Sequence, residues 1–171
     1  NNLSGCTSWA LMYNAGQPTS INTNTFNGSA NSVFLRGASN FTFSPPGSGG
    51  PNENVFGSAN HSGKIFQIDA CTNTRVSDFN FNPMMTLPLN TKSPFYISGS
   101  SAGTFTGNTA SGMNVAFEIV GNNSNFTVSA NTFSGSSYGI YMNGGTNNNH
   151  VINANNLSGC TSWALMYNAG Q

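Results

Sequence analysis

The first 17 residues, NNLSGCTSWALMYNAGQ, return without a change as residues 155–171. Chance does not produce an identity of that length. The chain therefore holds one 154-residue unit, residues 1–154, followed by the start of the next identical unit, residues 155–171. A sequence that comes back to its own beginning needs a fold that can do the same. Architectures of this kind rest each repeat on its neighbours and bury a continuous core between them.

A looser period runs inside the unit. NTFNGSANSVFLRG (24–37), NTASGMNVAFEIVG (108–121) and NTFSGSSYGIYMNG (131–144) each open on Asn-Thr and carry glycine four residues on, at Gly28, Gly112 and Gly135. Apolar residues fall nine and eleven positions after each start: Val33 and Leu35, Phe117 and Ile119, Ile140 and Met142. NNLSGCTSWALMYN (155–168) fits with Ala164 and Met166, and looser copies start near Asn54 (Phe66, Ile68) and Phe79 (Phe95, Ile97). Starts at 1, 24, 54, 79, 108, 131 and 155 give six turns per unit. Ile21, Val76, Phe105, Val128 and Ile152 lie three residues before a start, and Phe43 takes that place ahead of an insertion.

Apolar residues two apart have the period of a strand. Glycine, asparagine and serine separate the short apolar segments, as turns require. No stretch sustains a helical period. One turn cannot bury its inward row alone, so the turns must stack. The expected inward rows are Phe26, Phe133 and Leu157; Val33, Phe117 and Ile140; and Ile21, Val128 and Ile152. At a strand spacing of ~4.8 Å, six turns advance the chain ~29 Å per unit.

This pattern resembles the right-handed parallel β-helix family, the pectate-lyase-like fold, over essentially the whole chain. The expected fold class is all-β, a right-handed parallel β-helix solenoid with about six coils per 154-residue repeat. The resemblance implies that Asn1, Asn24, Asn54, Asn108, Asn131 and Asn155 form that family's asparagine ladder, whose stacked amides hydrogen-bond from coil to coil. Phe79 departs from it, so the ladder is expected to break there or to move onto Asn80.

Composition bears on function by exclusion. Four Lys plus Arg and four Asp plus Glu leave no basic face for a nucleic-acid backbone. No apolar run reaches the ~18 residues of a membrane span. The neutral chain carries 13 Phe, unlike a disordered polar segment. Lyases and hydrolases that share the resemblance use clustered acids. Here the acids are Glu53, Asp69, Asp78 and Glu118, and no three fall on neighbouring turns of one face. Arg36 and Asp69 read as a surface ion pair. Glu53 and Asp78 supply too few oxygens for calcium. His61 and His150 read as turn residues, and Cys6, Cys71 and Cys160 form no disulfide framework. The seven N-x-S/T sequons are what 29 Asn and 39 Ser plus Thr yield by composition. No catalytic centre, metal or cofactor is expected.

Two insertions interrupt the period: SPPGSGGPNE (44–53), an irregular loop, and NPMMTLPLNTKSP (82–94). The apolar Met84, Met85, Leu87 and Leu89 predict a flap packed on its own flank, the alternative being contact with a neighbouring chain. Phe34, Tyr141, Trp163, Leu165 and Tyr167 are expected to point outward, joined by Ile65, as an assembly surface. The expected function is structural: tandem units forming an extracellular or cell-surface filament, stalk or sheath, whose partners are copies of itself. A glycan-binding adhesin stalk is the alternative, and a polysaccharide lyase or hydrolase ranks below it.

Overall fold

The computed structural model describes residues 1–16, 21, 24–26, 30–47, 54–56, 63–85, 88–89 and 92–170. They form an all-β protein of parallel strands. One sheet joins β1 (Trp9–Gly16), β3 (Asn31–Ala38), β6 (Phe66–Asp69), β8 (Phe95–Ser98), β10 (Val115–Val120), β13 (Tyr138–Asn148) and β15 (Trp163–Gly170) in that order, with β11 (Asn123–Ser124) on the far end of β13. A second sheet runs β4 (Thr42–Phe43), β7 (Arg75–Ser77), β9 (Thr104–Thr106), β12 (Thr127–Ser129) and β14 (Val151–Asn153). The short strands β2 (Thr25–Phe26) and β5 (Val55–Phe56) pair with each other. Within the two larger sheets, each pass of the chain lays its strands beside those of the pass before.

Register sets like over like. Val33, Phe66, Phe95, Phe117 and Ile140 are successive partners, as are Leu35, Ile68, Ile97, Ile119 and Met142. Phe43, Val76, Phe105, Val128 and Ile152 form the matching row in the second sheet. Bridges linking Asn80, Thr109, Thr132 and Asn156 bring Phe81, Ala110, Phe133 and Leu157 into a third row. These rows are buried apart from their ends, where Ile152 and Leu157 are partly covered. Phenylalanine fills the middle: Phe66 stacks on Phe95 at 5.9 Å, Phe95 meets Phe117 at 5.1 Å, and Phe105 reaches across rows to Phe117 at 4.8 Å. Such ring pairs add ~0.5–1.5 kcal/mol each beyond the area they bury.

The corners need backbone that turns left-handed. Gly5, Gly112, Gly135 and Gly159 hold one such corner at φ +70, +71, +64 and +67, where a Cβ is costly. Gly28, the fourth-place glycine of the second turn, lies outside the described residues.

The strand containing Trp163 differs from the expected register. Leu165 pairs with Ile140 and Tyr167 with Met142, so these two face inward and Met166, opposite Tyr141, faces outward. The cause is one extra residue. Ile140 follows Asn131 by nine places, but Leu165 follows Asn155 by ten. The backbone absorbs the surplus where Ser162 N–H and Trp163 N–H both donate to Ser137 O, at 3.0 and 3.1 Å, as in a β-bulge. The inward residues are thus Leu165 and Tyr167 rather than Ala164 and Met166. Leu11 and Tyr13 correspond to them in the first pass, opposite Val33 and Leu35.

The second insertion folds back. Asn82–Met84 form a short 3-10 turn, Met85 enters the core at 2% exposure, and Met84 and Leu89 pack against it. Leu87 and residues 48–53 of the first insertion lie outside the described residues.

Candidate functional site: the asparagine ladder and the outward row

The residues before Phe79, Asn108, Asn131 and Asn155 turn left-handed: Asp78, Gly107, Ala130 and Ala154 have φ of +63, +66, +54 and +52. That turn carries the next side chain into the interior. Asn1 Nδ2 donates to Asn24 Oδ1 at 3.0 Å, and Asn24 Nδ2 donates to Asn54 Oδ1 at 3.0 Å. Asn108 Nδ2 donates to Asn131 Oδ1 at 3.1 Å, and Asn131 Nδ2 to Asn155 Oδ1 at 2.9 Å. Asn24, Asn54, Asn108 and Asn131 are buried.

The amides do more than stack. Three of these acceptors also take the backbone N–H of the preceding asparagine: Asn54 from Asn24, Asn131 from Asn108, and Asn155 from Asn131. The second amide hydrogen goes to the carbonyl three residues before the previous ladder position: Asn54 to Ile21, Asn108 to Val76, Asn131 to Phe105 and Asn155 to Val128. Asn131 thereby uses both donors and both lone pairs of its side chain. These four bonds leave nothing on the Asn131 side chain for a ligand and tie three passes together.

Phe79 takes the ladder place in its pass, buried at 2% exposure, and its backbone N–H still donates to Asn108 Oδ1 at 3.2 Å. Asn80 is exposed and accepts from Asn82 N–H. The side-chain ladder therefore skips this pass and does not move onto Asn80. A second polar row, missed from sequence, runs nearby: Cys71 N–H donates to Ser100 Oγ at 3.0 Å and Ser100 N–H to Asn123 Oδ1 at 3.0 Å. Its members share no residue type, so no repeated letter announced it.

Outward, the register aligns Met12, Phe34, Gln67, Tyr96, Glu118, Tyr141 and Met166 in one row. Of the residues expected outside, Phe34 and Tyr141 stand in this row, whereas Trp163 pairs with Tyr138 and is 57% exposed on the last described strand. Leu165 and Tyr167 are corrected to the inward side. They are exposed at 45% and 51% because β15 is the last described strand and no described strand stacks on it. Ile65 is fully buried, at a bend where both it and Phe66 turn inward. Tyr96 and Glu118 sit between inward pairs, Phe95/Ile97 and Phe117/Ile119, so alternation alone placed them outside. Trp9 packs its ring on Phe34 at 5.4 Å, and Tyr138 stacks on Tyr141 at 5.2 Å.

Charge gathers beside this row. Lys64, Lys92 and Glu118 line a cleft of about 210 Å³, and the Lys64 ammonium lies 4.7 Å from the Tyr96 ring centre. Burial pushes the Glu118 carboxyl above its ordinary value, and Lys64 draws it partly back. Burial, then Glu118 and Asp69, raise the Tyr96 phenol. Arg36 Nε meets Asp69 Oδ2 at 3.0 Å, and Ser98 Oγ donates to Asp69 Oδ1 at 2.8 Å. Arg36 is well exposed, so the pair contributes ~0–1 kcal/mol. Glu53 and His61 lie outside the described residues. Among the described residues, no three His, Cys, Asp or Glu side chains group as metal ligands. None of the described helices is long and apolar enough to cross a membrane.

Cys6, Cys71 and Cys160 are free thiols, and burial raises that of Cys71. His150 is not a solvated turn residue. It is half-buried, packs its ring tilted against Phe126 at 5.2 Å, and accepts Phe126 N–H at Nδ1, 3.2 Å away. Burial lowers its pKa.

These features define an all-β protein of stacked parallel strands with a structural amide ladder. No protein-family model, curated protein or solved structure matches the chain.

Proposed function

We propose that the chain is a structural, non-enzymatic protein: a right-handed parallel β-helix solenoid of tandem 154-residue units forming an extracellular or cell-surface filament or stalk. One observation carries this reading. The identical segment occurs twice with two different neighbours. In the second copy β15 rests on β13, and in the first copy β1 carries β3. Their bonds do not compete. Asn155 Nδ2 donates to Val128 O, whereas Asn1 Nδ2 donates to Asn24 Oδ1. A single seam asparagine can make both. One unit can therefore follow another with no new interface, and stability grows by nearest-neighbour terms.

Lateral packing of such rods would use Phe34, Tyr141, Trp163 and Met166, which recur every ~29 Å along the rod axis. Chains of one to four units, imaged by electron microscopy, should form rods that lengthen by ~29 Å per unit. Beads of constant size on a string would reject the reading. An antibody to the unit should label the cell surface, and labelling confined to the cell interior would reject that location.

A glycan-binding stalk is the second reading. Phe34, Tyr96 and Tyr141 stand on alternate rungs of the outward row, with Gln67 and Glu118 between them. Ring spacing of ~9.6 Å, two strand separations, suits every second sugar of an extended polysaccharide. Retention on glycan columns that is lost in Tyr96→Ala favours this reading. Retention unchanged by Tyr96→Ala removes it.

A further inference from the structure

We infer that the outward face of the large sheet docks on the same face of a second copy of this chain, the two stacks running in opposite directions about a two-fold axis that lies along the strand of Tyr96. This contact deepens the lateral-packing reading and rests on it for the surface. It adds the partner's direction and register.

The outward row is symmetric in its chemistry. Register aligns Met12, Phe34, Gln67, Tyr96, Glu118, Tyr141 and Met166. From Tyr96 toward either end the order is polar, aromatic, methionine: Gln67, Phe34, Met12 one way and Glu118, Tyr141, Met166 the other. A face ordered in this way complements itself when turned end over end. The two-fold sets Tyr96 on Tyr96, Gln67 on Glu118 and Phe34 on Tyr141 of the second copy. Each unlike contact then occurs twice, as in an isologous interface. The five central residues are half-buried, so their outer surfaces are open to a partner. Both arms carry paired rings, Trp9 on Phe34 at 5.4 Å and Tyr138 on Tyr141 at 5.2 Å.

Charge decides the direction. Glu118 is the one carboxyl in the row. Two rods lying the same way and in register would bring Glu118 onto Glu118, and like charges oppose each other in a face that is losing its water. Turned end over end, Glu118 meets Gln67, whose amide N–H groups can donate to the carboxylate. The pass that carries Gln67 also carries Lys64, whose ammonium leans over the Tyr96 ring, 4.7 Å from its centre and toward the axis. Each Glu118 therefore faces a pass with a donor and a cation. Two residues further along the strands the register reads Arg36, Asp69, Ser98, Val120 and Asn143. The same two-fold lays Arg36 on Asn143 and Asp69 on Val120, so like charges do not meet there either. Asp69 keeps its own partners, Arg36 and Ser98.

Size predicts a weak contact for one unit. Five rungs at ~4.8 Å, with about five residues per strand at ~3.3 Å, give a face of roughly 19 Å by 17 Å. A standard interface buries ~800 Å² per partner. In a tandem array the row keeps its symmetry, since Met12 and Met166 hold the same place in consecutive copies, and the contacts add along the rods.

The test is the association of the full 171-residue chain, read by sedimentation equilibrium at rising concentration. The chain should form dimers and nothing larger, because a two-fold contact closes on itself. Gln67→Lys sets an ammonium on each Glu118 of the second copy and should tighten the dimer about tenfold or more. In rods lying the same way the two new ammoniums would meet, so a weaker dimer overturns the inference. Tyr96→Lys places two ammoniums together on the axis and should abolish dimers without lowering the melt; dimers that persist contradict the axis. Benzoylphenylalanine in place of Phe34 reads the register directly. Within one molecule Phe34 lies four strand spacings, ~19 Å, from Tyr141, beyond its reach. Irradiated dimers should be linked from position 34 to residues 138–143 of the second copy. Links to residues 31–36 of the second copy, or none, overturn the inference. So do monomers at every concentration in both the unsubstituted chain and Gln67→Lys, and retention on glycan columns would then assign the face to a polysaccharide. Rod lengthening by covalent units is read separately, so a failed dimer does not mimic a failure of the fibre reading.

Discussion

Residues 1–17 and 155–171 have one sequence and two environments. In the first copy Leu11 and Tyr13 are half-buried under β3; in the second, Leu165 and Tyr167 are half-exposed above β13. Met12 is 62% exposed, whereas Met166 is partly covered beside Tyr141. The same letters therefore look apolar-out at one end and apolar-in at the other. Exposure here reports what is stacked on a strand, and register reports which way a side chain points. Only the second survives when another pass is added.

The interior sets the scale against which both copies are read. Phe117 is fully buried between Phe95, Phe105 and Phe133. Phe117→Ala should cost ~3–5 kcal/mol. Leu165→Ala should cost much less, with Leu11→Ala between them, all read by denaturant melts. Equal costs for Leu11 and Leu165 would mean that stacking does not distinguish the ends.

The ladder sharpens the contrast. Asn131→Ala strands partners on both sides, and each unsatisfied buried group costs ~1–3 kcal/mol. Asn155→Ala disturbs partners on one described side only and should cost less. A melt in which the order reverses would show that the ladder is not what joins the passes.

His150 offers a smaller effect, on the pass just before the second copy. Burial holds its pKa below the ordinary value near 6.5. The neutral ring accepts Phe126 N–H; a protonated Nδ1 would face that N–H with a hydrogen of its own. The unfolded chain then binds the proton more readily. Stability is full above pH ~6.5 and declines as pH falls from there toward the lower folded-state pKa. Glu118 works in the opposite sense, its raised pKa favouring the fold at low pH and losing that advantage as pH rises through it. His150→Phe should remove the acid-side decline and leave the Glu118 trend. A decline between pH 7 and 5 that persists in His150→Phe has another origin.

The smallest change expected is a gain. Ala130 holds φ +54, a conformation that costs a residue with a Cβ ~1–2 kcal/mol, and glycine's extra freedom when unfolded returns part of that. Ala130→Gly should be neutral or stabilising by under ~1 kcal/mol. A clear loss would indicate that the methyl group packs in a way its exposure does not suggest.

Much of this was legible in the letters. Alternation placed Val33, Phe117 and Ile140 inward because each lies nine residues after its asparagine. The spacing of asparagine placed the amides because that residue recurs at a corner where its side chain enters the core. At Trp163 the strand register differs by one residue from the one that spacing predicts. Counting from Asn155 assumes a constant turn, and nothing in Cys160-Thr161-Ser162 marks the bulge that lengthens it. Ile65 misled for a related reason: the strand bends there, and two consecutive residues turn inward. The cleft of Lys64, Lys92 and Glu118 was out of reach, since its members come from different passes and share no period.

The two copies of one segment should be two views of a single seam. A high-resolution structure of a chain carrying two consecutive units tests this most directly. The prediction is an uninterrupted stack in which β15 lies between β13 and the second unit's copy of β3. Leu165 should then stand opposite the copy of Val33, and the Asn155 amide should bond both Val128 O and the copy of Asn24. Two separately folded units, with the β15 edge uncovered or paired in another register, would contradict it.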